Sequence, residues 1–142
     1  LDQVTKTIAS STLKGSLPVN IIPDFFYFRY AQNTGGAWGF LSGHLWIFII
    51  VTIVALCIFI YLMKDLDFKK HRFYSIALVM IIIGTIGNFI DRLIFGYVID
   101  FLDFRIFGYD FPVFNVADIC LTVGVFILAV DVLFGKSGKL FK

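Results

Sequence analysis

The chain has 142 residues, of which 59% are hydrophobic and 15% charged, with a mean hydropathy of +0.91. A water-soluble domain carries about a quarter charged residues, and folding at this size still leaves roughly a third of the unfolded-chain surface exposed; so much apolar side chain excludes an aqueous globule and points to lipid. A net charge of +2, with no basic stripe interleaved with aromatics, excludes a nucleic-acid partner.

Residues 1–13 set Leu1, Val4, Ile8 and, more loosely, Leu13 at helical spacing. Asp2 and Lys6 stand i,i+4 with the acid first, the order that supports a helix. No uninterrupted apolar run marks a cleavable signal peptide, and the segment reads as the outer, partial end of a membrane helix. Residues 19–30, VNIIPDFFYFRY, are β-branched and aromatic and lead into the turn-rich AQNTGGAWGF, which predicts a short strand. The first complete span covers about 45–63 and holds WIFIIVTIVALCIFIYLM without a charge. Its length matches the roughly 20 residues needed to cross hydrocarbon. The second covers about 73–92, SIALVMIIIGTIGNFI followed by Asp91 and Arg92. Residues 97–114, YVIDFLDFRIFGYDFPVF, alternate in part and turn at Gly108, again predicting strands. The third span, 116–134, reads VADICLTVGVFILAVDVLF. All spans must be helical, because lipid offers the backbone no hydrogen-bond partner. The aromatic content of the connecting segments suits an interfacial belt, a small sheet at headgroup level. No repeat or linker divides residues 1–142, so a single membrane-embedded domain is expected.

Lys64, Lys69, Lys70 and Arg72 separate the first two spans, and Lys136, Lys139 and Lys142 follow the third, seven of the 12 basic residues on one side. The positive-inside rule makes that side cytoplasmic. Three complete spans leave the N-terminus outside; helix upstream of Leu1 would bring it back inside and make four. The expected fold class is therefore an all-α integral membrane protein, a four-helix transmembrane bundle with its first helix truncated and a small extracytoplasmic β-sheet or cradle. Both native termini are then cytoplasmic.

Polar groups at membrane depth are costly and by default functional. Asn88, Asp91 and Arg92 close the second span, Asp100 follows in the outer loop, and Asn115 and Asp118 open the third, all on the outer side. Two neighbouring carboxylates share a proton, the arrangement with which aspartic proteases activate water and polarise a carbonyl. The residues alone do not choose the pair among Asp91, Asp100, Asp103, Asp110 and Asp118. Asp118, inside an apolar helix start, is the one expected to be buried, or else a plain N-terminal acid. Asp91 reads as an ion pair with Arg92 or a hydrogen-bond anchor, and Asp103 and Asp110 as solvated loop acids. Asp131 reads as a snorkelling or capping residue. Cys57 and Cys120 lie within apolar runs, where a disulfide is not expected, and His44 and His71 stand at opposite ends of one run. No metal site follows from these spacings, and the histidines read as interfacial or loop residues.

Five stretches in order, LDQVTK from Leu1, NTGGAWGF from Asn33, GTIGNFIDRL from Gly84, VIDF from Val98 and FNVAD from Phe114, resemble lipoprotein signal peptidase (signal peptidase II), an aspartyl protease family, over essentially the whole chain. The resemblance implies that Asp100 and Asp118 are the catalytic pair. It implies that Asp2, Lys6, Asn33, Gly36, Asn88, Asp91, Arg92 and Asn115 orient the pair and hold substrate. It implies cleavage of bacterial prolipoproteins on the amino side of a diacylglyceryl-modified cysteine, in the cytoplasmic membrane near its outer face. No cofactor is implied, a monomer is expected, and lipid and the inhibitor globomycin are the implied partners beside substrate. The glycines at 35, 36 and 39 fit a lid over residues 33–40. Where the family has a glycine pair this chain has Ile83 and Gly84, which leaves close helix approach at Ile83 open. Two rival readings stand beside this one: a transporter or channel subunit using Asp91, Arg92 and Asp118 as an ion or proton relay, and a structural subunit whose carboxylates pair with Arg92 and Arg105.

Overall fold

The computed structural model describes residues 1–36 and 40–135; Gly39 of the expected lid and the basic residues Lys136, Lys139 and Lys142 lie outside them. In chain order it contains α1 (Asp2–Leu13), β1 (Val19–Ile22), β2 (Phe26–Asn33), α2 (Leu45–Leu62) with a short 3-10 turn (Met63–Asp65), α3 (Arg72–Phe95), β3 (Val98–Ile106), β4 (Tyr109–Asp110) and α4 (Val116–Phe134). Three segments, Leu45–Asp65, Arg72–Phe95 and Val116–Phe134, are long and apolar enough to cross a membrane. The segments before α2 and between α3 and α4 form a small antiparallel sheet, so helices and strands both contribute to the fold.

α3 is the central helix, and α4 crosses it closely because both carry small residues at the contact. A Cβ on Gly84 would stand 2.5 Å from the Ala117 carbonyl oxygen, and one on Gly124 would stand 3.0 Å from that of Ala77. Backbone-to-backbone approach of this kind substitutes for the hydrophobic drive that lipid removes. Ile83 is 54% exposed and turned away from the crossing, so the tight contact falls on Gly84 and Gly87 and needs no glycine at 83. α2 buries none of its residues, as an apolar helix facing lipid would. α3 ends where Gly96 takes the left-handed conformation at φ 78° and its N–H returns to the Arg92 carbonyl. That turn sends the chain directly into β3.

The sheet order is β1-β2-β3-β4. β2 and β3 are antiparallel, with Phe26 opposite Phe104, Tyr27 opposite Asp103 and Ala31 opposite Asp100, and an irregularity between Phe28 and Ala31. Strand side chains alternate between faces, so Asp100 and Asp103, three residues apart, point to opposite sides. Phe114 then docks on β3: its carbonyl accepts the N–H groups of Phe101 and Leu102, and its own N–H returns to Leu102. This places Asn115, the residue before α4, beside Asp100.

Candidate active site

The site forms where the C-terminal end of α3, the first half of β3, the end of β2 and the N-terminus of α4 meet. α4 begins with a capping box: the Asn115 side-chain oxygen accepts the Asp118 N–H at 3.0 Å, and Asp118 Oδ2 accepts the Asn115 N–H at 3.0 Å. A second free N–H of this first turn, that of Ala117, donates to Asp2 Oδ1 at 2.9 Å. Asp2 therefore ties α1 to the positive end of the α4 dipole.

Asn115 also faces the other way. Its Nδ2 donates to Asp100 Oδ1 at 2.7 Å, so one fully buried asparagine touches both Asp100 and Asp118. Asp100 Oδ2 accepts from Asn33 Nδ2 at 3.0 Å, and Asp118 Oδ1 accepts from Asn88 Nδ2 at 2.7 Å. The two carboxylates border one cleft of about 860 Å³, whose wall also includes Asn33, Gly36, Asn88 and Arg92. Its remaining lining is mostly apolar, from Phe111 and Phe114 to Ile119 and Val123. Burial raises the Asp100 pKa to about 7, and the neighbouring Asp118 charge adds to it against the pull of the Asn33 and Asn115 hydrogen bonds. A carboxyl in this condition holds its proton near neutrality.

Behind the cleft lies a second layer that does not line it. Lys6, 1% exposed, reaches Asp2 at 3.0 Å, Asp91 at 3.1 Å and the Asn88 side-chain oxygen at 2.9 Å. Asp91, fully buried, also accepts the Ile99 N–H at 3.0 Å, locking the start of β3 to α3. Asp2, Lys6, Asp91 and Asn115 are thus buried supports, whereas Asn33, Gly36, Asn88 and Arg92 reach the cleft.

Two sequence expectations need correction. Asp91 pairs with Lys6 and not with Arg92, because consecutive helix residues point to different faces. Arg92 turns instead toward the cleft, donating to the Gly35 carbonyl at 3.0 Å with its guanidinium 4.7 Å over the Phe48 ring. Asp103 is no solvated loop acid: it is 3% exposed and lies 3.1 Å from Arg29 across the strand pair. Asp110, 77% exposed and 3.2 Å from Arg105, does sit at the surface. Asp131 Oδ2 is buried without a hydrogen-bond partner among the described residues. Gln3 was missed as a site residue; its amide donates to Asp91 Oδ1 at 2.9 Å and to the Gly87 carbonyl at 3.0 Å. Its place between Asp2 and Lys6 was the available signal. Phe48, in an unbroken apolar run, gave none.

A sequence model of the family described as Signal peptidase (SPase) II matches residues 1–134. The lipoprotein signal peptidase of Listeria monocytogenes serotype 4a is 42% identical over 132 residues, covering 93% of this chain and 85% of its own length. That of a bovine strain of Staphylococcus aureus is 42% identical over 138 residues, covering 97% and 84%. A solved structure described as a bacterial membrane enzyme determined by the in meso method superposes with a TM-score of 0.86 at 42% identity, over 97% of this chain and 84% of that one.

Proposed function

This chain belongs to the signal peptidase II family, and we propose that it is a membrane aspartic endopeptidase that cleaves prolipoproteins on the amino side of a diacylglyceryl-modified cysteine, with Asp100 and Asp118 as the catalytic pair. The observation that carries the reading is Asn115 joining two carboxylates at one cleft, one of them with a pKa near 7. The pair shares one proton. The ionised carboxylate takes a proton from water as its oxygen adds to the scissile carbonyl carbon, and the neutral one gives its proton to the carbonyl oxygen. Collapse of the tetrahedral intermediate breaks the C–N bond; the first carboxyl passes its proton to the departing cysteine nitrogen, and the second recovers its own.

The supporting groups divide by position. Asn33 and Asn88 hold the outer oxygens of the pair, Asn115 fixes their spacing, and the Asp2–Lys6–Asp91 cluster fixes the elements that carry them. Arg92, holding the Gly35 carbonyl at 3.0 Å, steadies the start of the 33–40 segment, to which this reading gives the role of a lid. The apolar wall along Ile119 and Val123 suits a signal-peptide helix and acyl chains. The site lies at the end of α3 remote from Lys64, Lys69, Lys70 and Arg72, and this charge bias supports an extracytoplasmic site. A bundle of four membrane helices is the architecture this reading implies. The relatives lend no support to an ion or proton carrier. Globomycin is expected to compete for the cleft.

The test of substrate class is cleavage by the purified protein in lipid of one prolipoprotein with and without its diacylglyceryl group. Cleavage of the modified form alone is expected; equal cleavage of both would overturn the assignment of substrate.

A further inference from the structure

The sheet has two chemically different faces. On one, Arg29 lies 3.1 Å from Asp103, and Arg105 sits 4.7 Å over the Tyr27 ring and 3.2 Å from Asp110. On the other, Phe26 stacks on Phe104 at 4.5 Å, Phe104 on Phe114 at 5.6 Å, and Phe111 meets Phe114 edge-on at 5.8 Å. β3 and β4 are joined by Phe107 and Gly108 alone, with Ile106 paired to Tyr109. Both connecting residues have positive φ, 51° and 80°, the geometry of a type I′ hairpin turn.

The first position of such a turn favours Asn, Asp or Gly, and a bulky side chain in the left-handed region is strained. Phe107 nevertheless occupies it, and packing does not explain why, because the side chain is fully exposed. Ile106 and Tyr109 beside it are 41% and 55% exposed, and Phe25, 42% exposed, is brought to the same end by the Arg105 N–H donating to its carbonyl. A polar residue at this tip would suit both the backbone and water better. The apolar choice requires a partner outside the chain.

We propose that this hairpin tip is a membrane anchor: Phe107, with Ile106 and Tyr109, inserts at the boundary of headgroups and acyl chains. The sheet then lies along the membrane surface, its phenylalanine face toward lipid and its Arg29, Asp103 and Arg105 face toward water. Two observations select lipid over a protein partner. β3 starts at Val98, directly after membrane-spanning α3 ends at Phe95, so the near end of the sheet is at the bilayer surface. The aromatic and cationic side chains of the sheet also have the composition of an interfacial belt. Nine residues of β3 carry the tip roughly 30 Å from that point, and a sheet lying flat keeps Phe107 in lipid over that distance. The inference does not depend on the chemistry of the aspartate pair.

The test uses the full chain in nanodiscs of phosphatidylglycerol and phosphatidylethanolamine, with Cys57→Ala and Cys120→Ala as background. Spin labels are placed on Phe107→Cys and, as the water-side reference, on Asp110→Cys. Oxygen accessibility should exceed that of a water-soluble nickel chelate at position 107, with the reverse at 110. Equal nickel accessibility at both positions refutes the anchor. Shielding of position 107 from both reagents also refutes it, because a protein surface would then cover the tip. A second variant, Phe107→Asn, should raise the melting temperature in detergent by relieving the turn; a lower melting temperature would show that Phe107 serves the fold and would overturn the argument.

Discussion

Replacing Lys6 by Met tests how the buried cluster holds the site together. Lys6 is 1% exposed and stands 3.0 Å from Asp2, 3.1 Å from Asp91 and 2.9 Å from the Asn88 oxygen. Methionine retains much of the volume and removes the charge. At an effective dielectric of about 20, a unit pair at this separation is worth roughly 5 kcal/mol. Removing one partner of a buried pair typically costs about 3–5 kcal/mol, because the remaining charge is left without compensation. The Ile99 N–H and Gln3 still bond to Asp91, and the Ala117 N–H to Asp2, which places the expected loss toward about 3 kcal/mol. The assay is reversible unfolding in mixed dodecyl maltoside and sodium dodecyl sulfate micelles, followed by circular dichroism, for Lys6→Met, Asp91→Asn and the double variant. The double variant should lose less than the sum of the singles, by about 1–3 kcal/mol. A Lys6→Met loss below about 1 kcal/mol, the value of an exposed pair, with simple additivity would refute the reasoning.

Gly84→Ala places a Cβ 2.5 Å from the Ala117 carbonyl oxygen, and should cost about 1–3 kcal/mol in the same assay as an overpacked contact; Ile83→Ala, on the exposed side, should fall below it. The folded-state pKa of Asp100, about 7, exceeds the unfolded value of about 3.9, so the folded protein binds the extra proton between these limits. Stability contributed by this group therefore falls as pH rises from about 4 to about 7, with a ceiling on the order of 4 kcal/mol. Asp100→Asn should flatten that slope, which thermal melts at a series of pH values will show. Peptidase activity should decline as pH rises through about 7 and the shared proton is lost, read as the alkaline limb of the kcat/KM profile. Asn115→Ser keeps a helix-capping hydroxyl but loses the 2.7 Å bond to Asp100; one hydrogen bond to a charged group, about 1.5–3 kcal/mol, predicts activity reduced roughly 10- to 100-fold, with a stability loss of at least that size because the same amide also donates to Asn88 and the Ile99 carbonyl.

The membrane-spanning helices were legible because apolar runs of sufficient length leave few alternatives, and GTIGNFIDRL and FNVAD named the segments that meet at the site. Strand positions were legible in outline, and one strand through both residues must send Asp100 and Asp103 to opposite faces; alternation alone did not reveal which of the two faces meets Asn115 and α4, since that depends on what packs against β3. Nor did adjacency in sequence predict partners: Asp91 and Arg92 are neighbours in the chain, yet Asp91 is bound by Lys6, 85 positions away by number, and only tertiary packing of α1 on α3 creates that pair. Asn115 shows the same limit in a favourable form. Its place before an apolar helix marks it as a cap, while its bond to Asp100 follows from the docking of Phe114 on β3, which no local pattern records. Phe107 ran against local preference, as residues serving something outside the chain do.

The central claim is that Asp100 and Asp118 act as one catalytic pair. It is tested most directly by cleavage of a diacylglyceryl-modified prolipoprotein by the purified wild type beside Asp100→Asn and Asp118→Asn, each checked for a wild-type unfolding profile. Both single variants should lose cleavage by more than about a thousandfold, and combining them should add little, because residues that act as a unit are not additive. Near-normal cleavage by either correctly folded variant would contradict the account.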